Sequence, residues 1–343
     1  FHYLVLRKDA MLKLSIGIII SFIFVYFTFR GVDFGNVLNG LEGVNYFFLV
    51  LSFLSVVFTL VLRAVRLQII LLPVKKVSIK KLFPITCIGF MSIILFPMRM
   101  GELVRPYLVH EESQIPFTTS LGTIFLERVF DTLILLGMLV IVILSSDTAS
   151  WVTQSGYGLL ATFFVLVSAI LLTYFKTDLV LRILALLTQR LSREWQLKVE
   201  SIVRDFVDGF HIISKPKTLF YTLFLSLLIW VLSGLAIYCI FSFLHLKLPL
   251  ISAFAVLIIS IIGVSIPAAP GFLGTFQFAC MMALTMYNIP KESAVLFSLV
   301  YYILGIGTNI LLGLMFLPLI KFSFKDIFNK LKAPPKETVP ETT

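Results

Sequence analysis

The chain has 343 residues, of which 59% are hydrophobic and 13% are charged, and its mean hydropathy is +1.03. A chain of this length cannot bury so much apolar surface in a water-soluble core, so the composition excludes a soluble globular protein and indicates a polytopic, all-α membrane protein. The net charge of +10 bears on topology, because Lys and Arg in short loops stay on the cytoplasmic side during insertion.

Six apolar runs are long enough to cross about 30 Å of hydrocarbon as helices. They lie near residues 14–29, 44–62, 118–144, 157–175, 218–244 and 293–320. Basic residues precede the first run, as they do in a signal peptide, but the run is long and no small-residue cleavage pattern follows it. We therefore expect this run to stay as an anchor, and residues 1–320 to form a single integral membrane domain.

Two further apolar runs, 82–98 and 251–266, each end at a break rich in proline and glycine. The chain therefore has eight hydrophobic segments and two candidate topologies: eight spans, or about six spans with two re-entrant hairpins that turn back inside the membrane. The second topology places 24 of the 28 Lys and Arg on the cytoplasmic side. The positive-inside rule favours this topology, with both termini cytoplasmic.

The two breaks also suggest an internal repeat. Both contain the skeleton P-x-x-x-G, and an Ile-Pro pair follows each of them about twenty residues later. The half-repeats run from about 80 to 145 and from about 250 to 320, and they are inverted if the hairpins enter from opposite sides, as in many transporters. The alternative is that proline and glycine only kink two ordinary spanning helices.

Three charged residues, Glu127, Arg128 and Asp131, lie about ten residues into a predicted spanning helix, which is about 14 Å deep. Glu127 and Asp131 are four residues apart and share a face, while Arg128 and Asp131 are three apart and can pair. A charge at that depth costs at least about 2.5 kcal/mol unless it is paired or hydrated. The sequence leaves two interpretations open: a polar binding site, or an ion-pair knot that fixes helix packing.

The first break carries a second charged set, Arg99, Glu102 and Arg105, which the hairpin can bring to the same depth. We expect Arg99 or Arg105 to meet one of the two buried carboxylates, and Glu102 to meet Arg128. An arginine left without a carboxylate can hold an anion, because its planar guanidinium matches phosphate in a bidentate way.

Other polar segments have simpler interpretations. Arg63 and Arg66 follow the second apolar run, so we expect them to reach the cytoplasmic headgroups. Residues 178–212 alternate apolar and basic positions at helical spacing, which predicts amphipathic helices on the cytoplasmic membrane surface. The polar tail 321–343 is expected to be cytoplasmic and disordered. The cysteine and histidine spacing indicates no metal site, and we expect no cofactor and no catalytic residue.

The blocks PMRMGELVRPYLV, SLGTIFLERVFDTLILL and IPAAPGFLGTFQ resemble the lysylphosphatidylglycerol synthase transmembrane-region family, a flippase-like membrane domain, from about residue 10 to 320. The resemblance implies a polar lipid-headgroup site. Its residues would be Arg99, Glu102, Arg105, Glu127, Arg128, Asp131, Pro270, Gly271, Gly274 and Gln277. In larger relatives an aminoacyl-transferase domain follows this membrane domain, but only a short tail follows it here. We therefore expect no synthase activity.

The leading hypothesis is a lipid translocase of a prokaryotic cytoplasmic membrane, which shields a polar or anionic headgroup in a charged intramembrane cavity. The sequence contains no P-loop motif, so ATP is not the expected energy source. Two alternatives stay open: a membrane transferase or hydrolase with Glu127 or Asp131 as general base, and a scaffold for a separate lipid-synthesising enzyme. Membrane lipids are the expected partners, a homodimer is compatible with the sequence, and no nucleic-acid partner is expected.

Overall fold

The structure is a computed structural model, and it describes residues 2–96, 101–145, 215–266 and 268–320. It also describes the isolated positions 161, 164, 165, 168, 200, 201 and 204. The predicted span 157–175 and the predicted amphipathic segment 178–212 lie almost entirely outside the described residues, and the tail 321–343 lies wholly outside them.

All regular structure in the described ranges is helical, as the composition predicts. The helices are α1 (His2–Phe29), α2 (Phe34–Asn39), α3 (Tyr46–Leu71), α4 (Ile79–Leu95), α5 (Val104–Ser113), α6 (Phe117–Ser145), α7 (Pro216–Phe243), α8 (Leu250–Ser265), α9 (Thr275–Thr285), α10 (Lys291–Tyr302) and α11 (Thr308–Phe316). A π-helical turn, Ile303–Gly307, joins α10 to α11.

Capping side chains set several helix starts, because the first N–H groups of a helix have no partner within it. At the start of α3, Asn45 Oδ1 accepts a hydrogen bond from the Phe47 N–H at 3.1 Å. At the start of α4, Ser78 Oγ accepts one from the Lys80 N–H at 3.3 Å. These caps fix where each helix enters the bundle.

In the described ranges, four helical segments are long and apolar enough to cross a membrane: α3, α6, α7 and the continuous stretch Lys291–Leu319. They contain 26 to 29 residues, which is about 40 Å at 1.5 Å per residue and exceeds the hydrocarbon thickness. Four of the six predicted spans are thus confirmed as helices of sufficient length. The first predicted span lies in α1, whose apolar part is Gly17–Phe29.

Helices α4 and α5 form an antiparallel pair, which we call the first hairpin. Lys81, near the start of α4, places its Nζ 3.2 Å from the carbonyl oxygen of Glu112, near the end of α5. Closer to the break, a Cβ on Gly101 would lie only 2.1 Å from the carbonyl oxygen of Ser92. The chain therefore turns back on itself at the break, and glycine is required there because no side chain fits.

Helices α8 and α9 form a second antiparallel pair, the second hairpin. Ser260 Oγ lies 3.2 Å from Cys280 Sγ, and a Cβ on Gly263 would meet the Cβ of Ala279 at 2.4 Å. The turn between the helices contains a short 3-10 segment, Pro270–Phe272. This turn contacts α4, so the second break approaches the first hairpin.

The two hairpins open at opposite ends of the helix bundle. Helices α3 and α7 run antiparallel, as shown by the hydrogen bond from Ser52 Oγ to the Ala236 carbonyl at 2.9 Å. The base of the first hairpin lies beside the end of α3, where Lys75 Nζ contacts the Ser113 carbonyl at 2.7 Å. At the other end, beyond the second hairpin, Lys291 Nζ contacts the Arg30 carbonyl at 2.7 Å.

The interior is mainly apolar, but the surface differs from that of a soluble protein. Large apolar side chains such as Phe22, Phe47 and Leu144 are exposed, as expected of a surface that faces lipid. Among the residues whose burial the structure describes, the fully buried charged side chains are Arg66, Arg105, Glu127 and Asp131. Because charge is rare in the membrane interior, this buried cluster locates the candidate site.

Candidate functional site

The centre of the site is the carboxylate pair on α6. Glu127 and Asp131 are buried on one face of that helix, as their spacing predicts, while Arg128 is half-buried beside them. Glu127 lies ten residues after the first residue of α6, which is about 15 Å along the helix axis. Both carboxylates therefore need partners from neighbouring helices.

Arg105, from α5, is the partner of Glu127. Its Nη1 donates to Glu127 Oε2 at 2.6 Å and its Nη2 donates to Glu127 Oε1 at 3.2 Å, a bidentate pair with both side chains 1% exposed. The stem of Arg105 packs on Gly89, where a Cβ would come within 3.0 Å of the arginine Cβ. The predicted meeting of Arg105 with a buried carboxylate is confirmed.

Arg66, from α3, is the partner of Asp131. Its Nη1 donates to Asp131 Oδ1, its Nη2 donates to Asp131 Oδ2 at 3.1 Å, and it also lies 3.7 Å from Glu127. From α7, Ser226 Oγ accepts from Arg66 Nη1 at 2.7 Å, and Trp230 Nε1 donates to Asp131 Oδ1 at 3.0 Å. Four elements, α3, α5, α6 and α7, are thus joined by one polar network.

The expectation that Arg66 reaches the membrane headgroups is wrong, because its side chain is only 1% exposed. The physical reason is that α3 continues through LQIIL to Leu71 and does not end near Arg66. The sequence also allowed Arg128 to pair with Asp131. In the described residues Asp131 is bound by Arg66 and Trp230 instead.

Arg63 and Arg128 have no carboxylate within 4.0 Å among the described residues. Both guanidinium groups lie against Phe90 of α4, at 4.8 Å and 5.7 Å from the ring centroid, and Arg63 also lies 5.3 Å from Trp230. The Nε of Arg128 is buried without a hydrogen-bond acceptor in the described part of the chain, as are those of Arg66 and Arg105. A phenyl ring attracts a cation but does not neutralise it.

The described cluster therefore carries more positive than negative charge: four arginines, Arg63, Arg66, Arg105 and Arg128, surround two carboxylates. Arg99 lies outside the described residues, so its predicted role was not located. Glu102 is half-buried at the first break. The prediction that Glu102 meets Arg128 is wrong, because no described carboxylate lies within 4.0 Å of Arg128.

A cavity of about 210 Å³ adjoins this cluster. Arg63, Phe90 and Trp230 line it on the side of the charges, and Asn309 of α11 also lines it. The remaining lining residues are Val56, Thr59, Leu60, Ser233, Ala236, Leu257, Ile261, Phe276, Tyr301, Gly305 and Ile306. Since a single water needs only about 10 to 15 Å³ of such space, the cavity has room for a hydrated polar group.

The residues of the second break hold the turn in place. Gln277 Oε1 accepts a hydrogen bond from the Gly274 N–H at 2.7 Å, which caps α9, and the carbonyl of Gly271 accepts one from Tyr302 at 2.9 Å. Gly271 and Gly274 have positive φ angles of 79° and 85°, which favour glycine. Their neighbour Phe276 lines the cavity, but Pro270, Gly271, Gly274 and Gln277 do not.

The structure thus brings Arg105, Glu127, Arg128 and Asp131 together and places the glycine-rich turn against α1, where Ala269 N–H donates to Ser21 Oγ at 2.8 Å. Sequence reasoning missed Phe90, Ser226 and Trp230 and assigned Arg63 and Arg66 to the surface. One feature of the sequence could have placed Arg63 and Arg66 inside the membrane: they are three residues apart and a further apolar helical turn follows them.

Comparisons with known proteins agree with this architecture. The family model described as "Lysylphosphatidylglycerol synthase TM region" matches residues 14–313. UPF0104 membrane protein MJ1078 of Methanocaldococcus jannaschii is 26% identical over 225 residues, which cover 64% of this chain and 89% of the relative. A UPF0104 membrane protein of Methanothermobacter thermautotrophicus is 25% identical, with 66% and 69% coverage. UPF0104 membrane protein MJ1595 of M. jannaschii is 21% identical, with 92% and 97% coverage. No solved structure matches at comparable significance.

Proposed function

The chain belongs to the lysylphosphatidylglycerol synthase TM region family, and from that premise we propose that it is a lipid translocase. It moves a polar or anionic lipid headgroup across the cytoplasmic membrane of a prokaryote through the charged cavity. The acyl chains stay in lipid beside the exposed apolar helix surfaces while the headgroup crosses within the protein.

One observation carries the proposal: among the described residues Arg63 and Arg128 have no carboxylate partner, Arg63 lines a 210 Å³ cavity, and Arg128 lies against Phe90, which lines the same cavity. A buried ion-pair knot that served packing alone needs no further cations, because an unpaired charge in the membrane interior is costly. A transient anionic ligand and water compensate that charge. This favours the binding-site interpretation over the packing interpretation.

The proposal includes the topology of six spans and two re-entrant hairpins. Antiparallel packing within α4–α5 and within α8–α9, with bases at opposite ends of the bundle, supports an inverted arrangement. Four lysines, Lys75, Lys76, Lys80 and Lys81, lie at the base of the first hairpin, which the positive-inside rule assigns to the cytoplasm. Both termini are then cytoplasmic.

We assign no catalytic role to the site. The two candidate general bases, Glu127 and Asp131, each accept hydrogen bonds from an arginine, so neither is free to take a proton from a substrate. The movement is driven by the concentration gradient of the lipid, by an ion gradient, or by consumption of the transported lipid on the far side. A homodimer or a separate lipid-synthesising enzyme is compatible with this role.

The test is a scramblase assay in proteoliposomes that contain fluorescent phosphatidylglycerol. Dithionite added outside quenches only labelled lipid in the outer leaflet. We expect the wild-type protein to move labelled lipid from the inner to the outer leaflet, where it is quenched, and Arg128→Ala to slow this loss of fluorescence at least tenfold. Arg30→Ala is the matched control, since Arg30 lies 5.6 Å from the Tyr26 ring, away from the cavity. Equal rates for wild type and Arg128→Ala would remove the role proposed for this arginine.

A further inference from the structure

We propose that the cavity selects lipids whose headgroup carries a net negative charge, and that Arg63 and Arg128 make this selection by binding the headgroup phosphate. This inference rests on the proposed function, and it names the class of lipid that the site takes. The lipid expected here differs from lysylphosphatidylglycerol, the lipid in the name of the family, which is cationic because a lysyl ester adds two ammonium groups to phosphatidylglycerol.

The first step of the argument is that no carboxylate of the described cluster remains for a cationic headgroup. Glu127 is bound in a bidentate way by Arg105, and Asp131 is bound by Arg66 and Trp230. An ammonium group entering the cavity would have to displace one of these buried donors. Truncating one partner of a buried, hydrogen-bonded charge pair is strongly unfavourable, and such displacement has a similar cost.

The second step is that two guanidinium groups remain for an anion. Arg63 lines the cavity, and Arg128 lies against the other wall-forming residue, Phe90. Both groups lie within 6 Å of one ring centroid, at 4.8 Å and 5.7 Å, so they are at most about 10.5 Å apart. In this proposal the headgroup phosphate lies beside Phe90, between the two groups. Hydrogen bonds between arginine and phosphate are charge-assisted and about twice as strong as neutral ones. The phosphate gains these bonds without breaking an ion pair of the protein.

The third step concerns the uncharged part of the headgroup. Thr59 and Ser233 line the cavity, and each hydroxyl donates its proton to a backbone carbonyl of its own helix, at 2.7 Å and 2.8 Å. The amide nitrogen of Asn309 likewise donates to the Gly305 carbonyl at 2.6 Å. The side-chain oxygens of these residues therefore remain as acceptors. Acceptors of this kind suit headgroup hydroxyls, such as those of a glycerol.

The experiment measures lipid retention. Purified protein is incubated with an equimolar mixture of phosphatidylglycerol, phosphatidylethanolamine and lysylphosphatidylglycerol with identical acyl chains, and the bound lipid is counted by native mass spectrometry. We expect phosphatidylglycerol to be retained about tenfold over lysylphosphatidylglycerol, and this preference to fall about tenfold in Arg63→Gln and in Arg128→Gln. The Arg30→Gln control should keep the preference, and Arg63→Lys should keep more of it than Arg63→Gln.

Equal retention of the three lipids by the wild type, or retention led by the lysyl lipid, would overturn the inference. Displacement of phosphatidylglycerol by an equal concentration of glycerol phosphate would overturn the assignment to a lipid. Retention is read without transport, so the two proposals fail separately. Selective retention with no scrambling supports the inference about selectivity and contradicts the translocase proposal. Scrambling of all three lipids at equal rates supports the translocase proposal and contradicts the inference about selectivity.

Discussion

Arg105 and Glu127 form a bidentate ion pair across α5 and α6, with both side chains 1% exposed and their shorter N–O distance at 2.6 Å. The pair joins the returning arm of the first hairpin to a spanning helix. Its burial means that neither partner has water as an alternative, so the pair couples the hairpin to α6 in addition to their apolar packing.

Glu127→Gln should therefore destabilise the protein by about 3 to 5 kcal/mol, because it leaves Arg105 buried with its charge uncompensated. The measurement is the free energy of unfolding in detergent micelles. The double variant Arg105→Met with Glu127→Leu should lose clearly less, since no buried charge is left behind. If the double variant loses as much as the sum of the losses in Arg105→Met alone and Glu127→Leu alone, the residues are not coupled.

Arg63→Gln and Arg128→Gln should have the opposite profile, with transport impaired and stability retained. Neither arginine has a carboxylate partner among the described residues, so each variant loses cation–π contacts, with Phe90 in both cases and also with Trp230 in the case of Arg63, each worth about 0.5 to 2 kcal/mol. Lipid scrambling in proteoliposomes should fall at least tenfold. Arg66→Gln serves as the contrast, because it leaves Asp131 without its arginine partner and should lower the free energy of unfolding more than the other two substitutions. Similar stability and transport in the three variants would contradict the distinction between paired and unpaired arginines.

Cysteine labelling tests the topology. In the six-span arrangement, Lys81→Cys and Glu112→Cys react with a membrane-impermeant maleimide only from the cytoplasmic side, because the Lys81 side chain contacts Glu112 at the base of the first hairpin. Lys247→Cys and Lys291→Cys react only from outside. The native cysteines are buried and give little background. Labelling of positions 81 and 112 from opposite sides would establish the eight-span arrangement instead.

Substitution by alanine at two glycines, Gly274 and Gly137, should change the stability of the protein in opposite ways. Gly274→Ala should destabilise the protein by about 2 kcal/mol or more, because residue 274 has a φ of 85° and its Cβ would lie 2.4 Å from the Ser21 carbonyl. Gly137→Ala in α6 should be neutral or stabilising by up to about 1 kcal/mol, since nothing lies within 4 Å of its Cβ. The readout is thermal unfolding in detergent, and equal effects of the two substitutions would contradict the tight contact between the second break and α1.

Much of the fold was predictable because it depends on local sequence. Four predicted spans match helices, and the breaks at Gly101 and Gly274 occur where proline and glycine interrupt apolar runs. The charged residues of α6 stood out for the same reason, since an ionised side chain inside an apolar run is anomalous without any knowledge of its neighbours. Phe90 could not be found this way, because nothing distinguishes it in sequence from the other phenylalanines of the chain.

The sequence by itself determined that the protein is a helical membrane protein with two interrupted segments and a buried charged cluster, because hydropathy and helix breaking are properties of a few adjacent residues. Only the tertiary structure decided which arginines are neutralised. Arg66 and Asp131 are separated by 65 positions in the chain, and charge compensation in a membrane depends on distances of a few ångströms between side chains of different helices. That pairing left Arg63 and Arg128 beside the cavity.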